Sequence, residues 1–121
     1  MTLSITRSTS ADTVEVAPMG EIDVENAYMI KDAVQEVLGE GRPRRIELNM
    51  RGVTFIDSVG ISGLVSAHQL AGIAGVPLVV TRPSRFAHRQ LWVTGLLGLF
   101  GNPEPAPDTA GPAEQPAVSG T

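Results

Sequence analysis

The chain has 121 residues, nine Lys and Arg against thirteen Asp and Glu, and a hydrophobic fraction of 42%. That is enough apolar material for one globular domain with a core, and too little length for two. The absence of cysteine excludes a disulfide framework, a zinc–thiolate site and a thiol nucleophile.

Three of the acids, Glu104, Asp108 and Glu114, fall after residue 100, where there is no basic residue. The first hundred residues are therefore within one charge of neutral. A nearly neutral domain is a poor binder of a phosphate backbone, so no direct nucleic-acid partner is expected. The start, Met1-Thr2-Leu3-Ser4-Ile5, lacks a basic segment followed by a long apolar one, and runs such as Val76 to Val80 are far too short to span a bilayer. A soluble cytoplasmic protein with no membrane partner is the expectation.

In chain order, Leu3 to Thr6 reads as a short strand. Ser10-Ala11-Asp12 marks a turn, and Val14, Val16 and Met19 line the strand after it. Asp23 is a good cap for a helix from about Val24 to Leu38, whose apolar Ala27, Ile30, Val34, Val37 and Leu38 share one face. Gly39 and Gly41 end it. Ile46, Leu48 and Met50 alternate with Glu47 and Asn49, as in a half-buried strand. The stretch Phe55-Ile56-Asp57-Ser58-Val59-Gly60 is an apolar strand end followed at once by a polar turn and a helix start. That second helix runs to about Ala74, and Gly75 stops it. Val76 to Thr81 is a continuous apolar run, consistent with a strand buried on both faces. Pro83-Ser84 begins a third helix, which Gly95 terminates. Leu96 to Phe100 either adds a last short strand or packs as a loop. Residues 101–121 hold five of the nine prolines and three glycines, with Val118 as the sole large apolar residue. Such a stretch cannot bury enough surface to offset its ordering entropy, so a domain over 1–100 and a disordered tail over 101–121 are predicted.

Strands alternating with helices predict the α/β class, with a parallel core to the sheet, an antiparallel N-terminal edge and about three helices packed against it. Ligands of such sheets meet the carboxyl ends of the strands. Two strand-to-helix turns arrive there, Gly20-Glu21-Ile22-Asp23 and Phe55-Ile56-Asp57-Ser58, which puts Asp23 and Ser58 at one end of the domain. Asp57 or Ser58 caps the second helix, because a short oxygen-bearing side chain accepts from the first free N–H groups. Ser58 then presents a hydroxyl at the positive end of a helix dipole, where a phosphate finds N–H donors and a favourable field.

These motifs resemble a known family. Gly20-Glu21-Ile22-Asp23 is similar to the Gly-Glu-Leu-Asp turn of STAS domains, and Phe55-Ile56-Asp57-Ser58-Val59-Gly60-Ile61 to their Phe-Met-Asp-Ser-Ser-Gly-Leu stretch. Thr94-Gly95-Leu96 with Leu99-Phe100 is similar to the family's closing signals. Within that family the chain resembles the bacterial anti-sigma-factor antagonists. Val59 replaces a common second serine and leaves Ser58 alone at the turn. The resemblance implies a partner switch. The unmodified antagonist binds an anti-sigma factor that is also a serine kinase and so releases a sigma factor. ATP-dependent phosphorylation at Ser58 ends binding, and a phosphatase resets it. The partner-binding residues so implied are Asp23, Asp57, Ser58, Val59, Gly60, Ser62 and Gly63.

Each of these residues has a plainer reading. Without the resemblance, Asp57-Ser58 is better read as a cap alone; with it, as the phosphorylation site. Asp23 caps the first helix in either case, and positioning a phosphate or the kinase's metal is a further role open to it. Gly60 and Gly63 either let a partner backbone approach or let the helix sit closely on its own sheet. Glu21 reads as a solvated turn residue, and Arg42, Arg44 and Arg45 as a solvated loop. His68 and His88 have no paired histidine at ligand spacing, so no metal is expected. Phe86 reads as core and Trp92 as partly exposed. No catalytic residue or cofactor is assigned: Gly60-Ile61-Ser62-Gly63-Leu64 lacks the closing glycine of a nucleophile elbow, the glycines at 95, 98 and 101 do not fit a dinucleotide fingerprint, and Lys31 is the sole lysine. The protein is expected not to be an enzyme. The alternatives are a STAS regulatory subunit gripping a membrane transporter component, and a small-molecule or nucleotide-binding STAS module. Self-association stays open, since an exposed edge strand permits it.

Overall fold

The computed structural model describes residues 2–107. The part of the predicted tail beyond 107 lies outside them. Strands β1 (Leu3–Ser10) and β2 (Thr13–Ile22) form an antiparallel hairpin closed by Ala11-Asp12, with Ser10 opposite Thr13. β1 is longer than predicted because all eight of its residues pair with β2. Val14 and Val16 point into the core, as expected. Met19 does not. The two-residue period of a strand turns it outward, where it is half exposed and lies over Gly52.

β2 is the organising strand. Its first half pairs in parallel with β3 (Arg45–Asn49) and its second half in parallel with β4 (Val53–Ile56). β3 pairs on its other side with β5 (Leu78–Thr81). The sheet therefore reads β1-β2-β3-β5, with β4 alongside the far end of β2. This is the mixed sheet expected, with one refinement: the run from Ile46 to Ile56 is two strands, broken at Arg51-Gly52. β5 differs as well. Leu78 and Val80 are buried, whereas Val79 and Thr81 are half-buried, so the run alternates rather than being enclosed on both faces.

Among the described residues three helices complete the fold: α1 (Tyr28–Glu40), α2 (Ser58–Ile73) and α3 (Arg85–Val93). α1 buries Ile30, Val34, Val37 and Leu38, and α2 buries Ile61, Leu64, Ala67 and Ala71. These stripes meet Ile22, Ile46, Leu48, Ile56, Leu78 and Val80 of the sheet in one continuous core. Truncating a side chain as enclosed as Leu48 to alanine costs about 2–5 kcal/mol in such a setting. Ser84 caps α3 by accepting from the Ala87 N–H at 3.1 Å, and Gly95, at φ +75°, ends the turn that follows it. Leu96 to Phe100 packs as turns and adds no strand; the Phe100 ring is wholly buried edge-on to His68, and its carbonyl accepts from the Val80 N–H. Phe86 is not core. It lies at the surface with its ring centroid 5.5 Å from that of Phe55. The chain stays packed past residue 100: Ala106 is buried, and its N–H donates to the Pro83 carbonyl at 2.7 Å.

Candidate phosphorylation and partner-binding site

The site is built by two parallel strand ends. Ile22 of β2 pairs with Ile56 of β4, so Asp23 and Asp57 leave the sheet side by side. The Asp57 N–H donates to the Ile22 carbonyl at 3.2 Å and ties the two exits together. The nearness expected of the two turns follows from this register.

Asp57 is the cap of α2. Its Oδ1 accepts from the Gly60 N–H at 2.8 Å, and its carbonyl accepts from the Ile61 N–H at 2.9 Å. That leaves Ser58 as the first helical residue. It is exposed, and its hydroxyl makes no hydrogen bond with any described residue. A residue at that position has its own N–H unused by the helix ladder. The hydroxyl is thus both reachable and set in the positive field of a sixteen-residue helix.

Asp23 behaves differently from expectation. It is 7% exposed and does not cap α1, which begins at Tyr28 with Ala27 before it. Asp23 instead caps a separate turn: its Oδ1 accepts from the Glu25 N–H at 3.0 Å and its carbonyl from the Ala27 N–H at 2.8 Å. The reciprocal bond comes from Asn26, a residue the sequence reading missed. Asn26 is 6% exposed; its Oδ1 accepts from the Asp23 N–H at 2.9 Å and its Nδ2 donates to the Glu21 carbonyl at 2.8 Å. The spacing Asp-x-x-Asn was the available signal, a capping box with Asn standing where Glu or Gln is usual.

The two glycines of α2 are explained by packing within the domain. A Cβ on Gly60 would lie 2.7 Å from Ile56 Cγ1 and 2.9 Å from the Ile22 carbonyl oxygen; one on Gly63 would lie 3.1 Å from the Ala27 carbonyl oxygen. The helix start is pressed against both strand ends and the turn before α1. Gly60 is accordingly buried and Gly63 half-buried, whereas Ser58, Val59 and Ser62 are exposed and Asp57 is half-buried. Beside them stand Val24 and Tyr28, large apolar side chains exposed on the turn and at the start of α1, which the sequence reading did not single out. The remaining candidates lie elsewhere. His68 Nδ1 donates to the Leu78 carbonyl at 3.2 Å, Arg45 pairs with Glu47 at 2.7 Å, and Trp92 is exposed on α3.

Comparison with known proteins bears on the fold. The fold is similar to an anti-sigma factor antagonist from Mycobacterium paratuberculosis, at 22% identity and a TM-score of 0.75 over 88% of this chain and 89% of that one. It is similar to the anti-sigma factor antagonist SpoIIAA in its unphosphorylated form, at 18% identity and a TM-score of 0.68 over 87% and 90%. A sulfate transporter family protein from Wolinella succinogenes also matches, at 21% identity and a TM-score of 0.67 over 78% and 76%. At these identities the likeness is one of fold. A comparison of the sequence with curated proteins returns no match. The model of the STAS domain, however, matches residues 4–110, nearly the whole chain, and the protein therefore belongs to the STAS domain family.

Proposed function

We propose that the protein is an anti-sigma factor antagonist that works as a phosphorylation switch without catalytic activity of its own. In the unmodified state the surface around Ser58 binds an anti-sigma factor with serine kinase activity, and the sigma factor is released. The kinase transfers the γ-phosphoryl group of ATP to Ser58. The Oγ–P bond forms as the bridge to the β-phosphate breaks, ADP leaves, and the hydroxyl proton passes to a base on the kinase. A phosphatase reverses the modification by hydrolysis. The observation that carries this reading is the exposure of an unpartnered Ser58 hydroxyl at the N-terminus of α2, at the joint carboxyl end of β2 and β4.

The physical basis of release is charge. A phosphoserine brings about −1.5 to −2 at neutral pH. Asp57 is the adjacent residue and Asp23 leaves the neighbouring strand. A partner covering this turn would then have to desolvate several negative groups together. A penalty of only ~3 kcal/mol weakens binding more than a hundredfold. Val59 and Ser62 on α2, with Val24 and Tyr28 beside them, supply the contact surface; Gly60 and Gly63 act by letting α2 seat close to the strand ends.

Incubation with anti-sigma kinases and ATP, followed by mass mapping, tests the modification. Label is expected on Ser58; label on Ser62 or Thr54 alone, or none, removes the centre of the proposal. Ser58→Ala should bind the kinase partner persistently and Ser58→Asp poorly, and equal affinities in a titration would falsify the charge mechanism. A second reading draws on the likeness to the sulfate transporter family protein: the same surface would grip a transporter component, and co-purification with membrane proteins in place of a kinase would favour it.

A further inference from the structure

β1 is an open edge. It has β2 on one side and, among the described residues, no strand on the other. The Glu21 N–H donates to the Thr2 carbonyl at 3.0 Å, and the register runs on unbroken from Leu3 opposite Gly20 to Ser10 opposite Thr13. Antiparallel pairs alternate between bonded and unbonded. The even residues of β1 therefore bond to β2, and the N–H and C=O groups of Leu3, Ile5, Arg7 and Thr9 point away from the sheet. Natural edges are blunted by proline, lysine or a bulge, and β1 has none of these. Its single charge, Arg7, is turned back onto its own chain, where Glu40 of α1 accepts from Nη1 and Nη2. The far edge of the sheet is different. β5 is only four residues long, and its Val80 N–H is taken by the Phe100 carbonyl.

We propose that β1 pairs antiparallel with β1 of a second copy, about a two-fold axis at Thr6, and joins the two sheets into one. The strand is complementary to itself at this register. Leu3 faces Thr9 of the second copy and Ile5 faces its Arg7, so all four outward residues exchange hydrogen bonds. On the open face, the exposed hydroxyl residues pair with one another: Thr6 with Thr6, and Ser4 with Ser8. On the helix face, the two half-buried Ile5 side chains become diagonal neighbours and cover each other. The two Arg7 are diagonal as well, but each guanidinium is already held by its own Glu40. Other registers are worse. An axis at Arg7 sets the arginines directly opposite, and an axis at Ile5 leaves Thr9 with no partner in β1. A foreign strand would have to match this pattern, whereas a second copy carries it already. The pairing uses up the open edge, so assembly stops at two.

Full-length protein is sedimented over a range of concentrations and should show a reversible monomer–dimer equilibrium. The chain has no cysteine, so single cysteines report the register. In Thr6→Cys the two thiols meet in an unbonded pair with Cα atoms about 4.5 Å apart, within disulfide range. Oxidised glutathione should link this variant into a covalent dimer. In Ser8→Cys the thiols stand four positions apart, roughly 13 Å along the strands, and should not link. Thr9 is exposed and opposite Val14 in an unbonded pair, so Thr9→Pro removes an outward donor and spares the β2 ladder. It should weaken dimerisation about tenfold, since the loss counts once on each side of the axis. A monomer at every concentration overturns the proposal and leaves the edge to a strand from a different protein. Equal linking of Thr6→Cys and Ser8→Cys, or a dimer unchanged by Thr9→Pro, overturns it too, because the contact would then lie elsewhere.

Discussion

Gly60 shows how one residue couples the fold to the site. Its missing side chain lets α2 start against Ile22 and Ile56, and that contact sets where Ser58 stands. Alanine here gains helix propensity worth roughly 0.8–1 kcal/mol. It also forces a Cβ to within 2.9 Å of the Ile22 carbonyl oxygen, a backbone atom that cannot swing aside. Overpacking of that kind costs about 1–3 kcal/mol, so Gly60→Ala should lower stability in urea unfolding. Gly72 is the control. It lies on the same helix with nothing within 4 Å of an added Cβ, so Gly72→Ala should raise stability by about 0.5–1 kcal/mol. The opposite signs are the test, since propensity alone predicts a gain at both. Asn26 makes a similar case for polar groups. Asn26→Ala would strand the buried Asp23 N–H and the Glu21 carbonyl, at a cost of about 1–3 kcal/mol. Asn26→Ser, which is too short to reach both, should recover only part of that loss in the same unfolding experiment.

At the scale of elements, the sequence was most informative where local chemistry and tertiary packing agree. The start of α2 was legible because an apolar strand end, an Asp cap and two small residues all act within seven positions. The start of α1 was not. The cap at Asp23 was recognised, but Asn26 closes the box on a single turn, and the helix ladder begins only at Tyr28. Hydrophobic spacing cannot separate a capped turn from the first turn of a helix, because both place residues at the same angular interval. The break between β3 and β4 was hidden for a related reason: Met50 and Val53 are both buried and carry the apolar pattern across the turn. Phe86 was misplaced because an aromatic on a short helix looks like core until its neighbour is known. The neighbour is Phe55, on the half-buried face of β4. The segment after Phe100 shows composition losing to one anchored contact. Proline and glycine predict disorder from 101, yet Ala106 is buried and bonded to Pro83. A chain ending after Gly101 should therefore melt below one ending after Pro107. The loss of that bond and burial, about 1 kcal/mol, corresponds to roughly 4–8 °C in a domain of this size. Equal melting temperatures would mean that the return segment contributes nothing to the fold.

For the whole molecule, the question is whether phosphorylation acts by refolding the domain or by changing its surface. The positions of the charges favour the surface. Ser58 is exposed, so its phosphate would remain largely hydrated, and the N-terminus of α2 offsets part of the added charge. The adjacent Asp57 already holds the Gly60 N–H, so the cap does not depend on the serine. The domain over residues 1–100 is almost neutral, and two further charges do not make its self-repulsion large. The phosphorylated and unmodified proteins should accordingly melt within a few degrees of each other, a shift worth less than about 1 kcal/mol. Partner affinity should fall more than a hundredfold. The salt dependence then separates two forms of repulsion. Charges that stay solvated are screened within about 3 Å at 1 M salt, whereas charges trapped under a partner are screened much less. If the phosphate is expelled because the partner must bury it, the Ser58→Asp defect should persist at high salt. A defect that vanishes in about 1 M salt would place the repulsion between exposed surfaces, and the turn would lie at the rim of the contact and not beneath it.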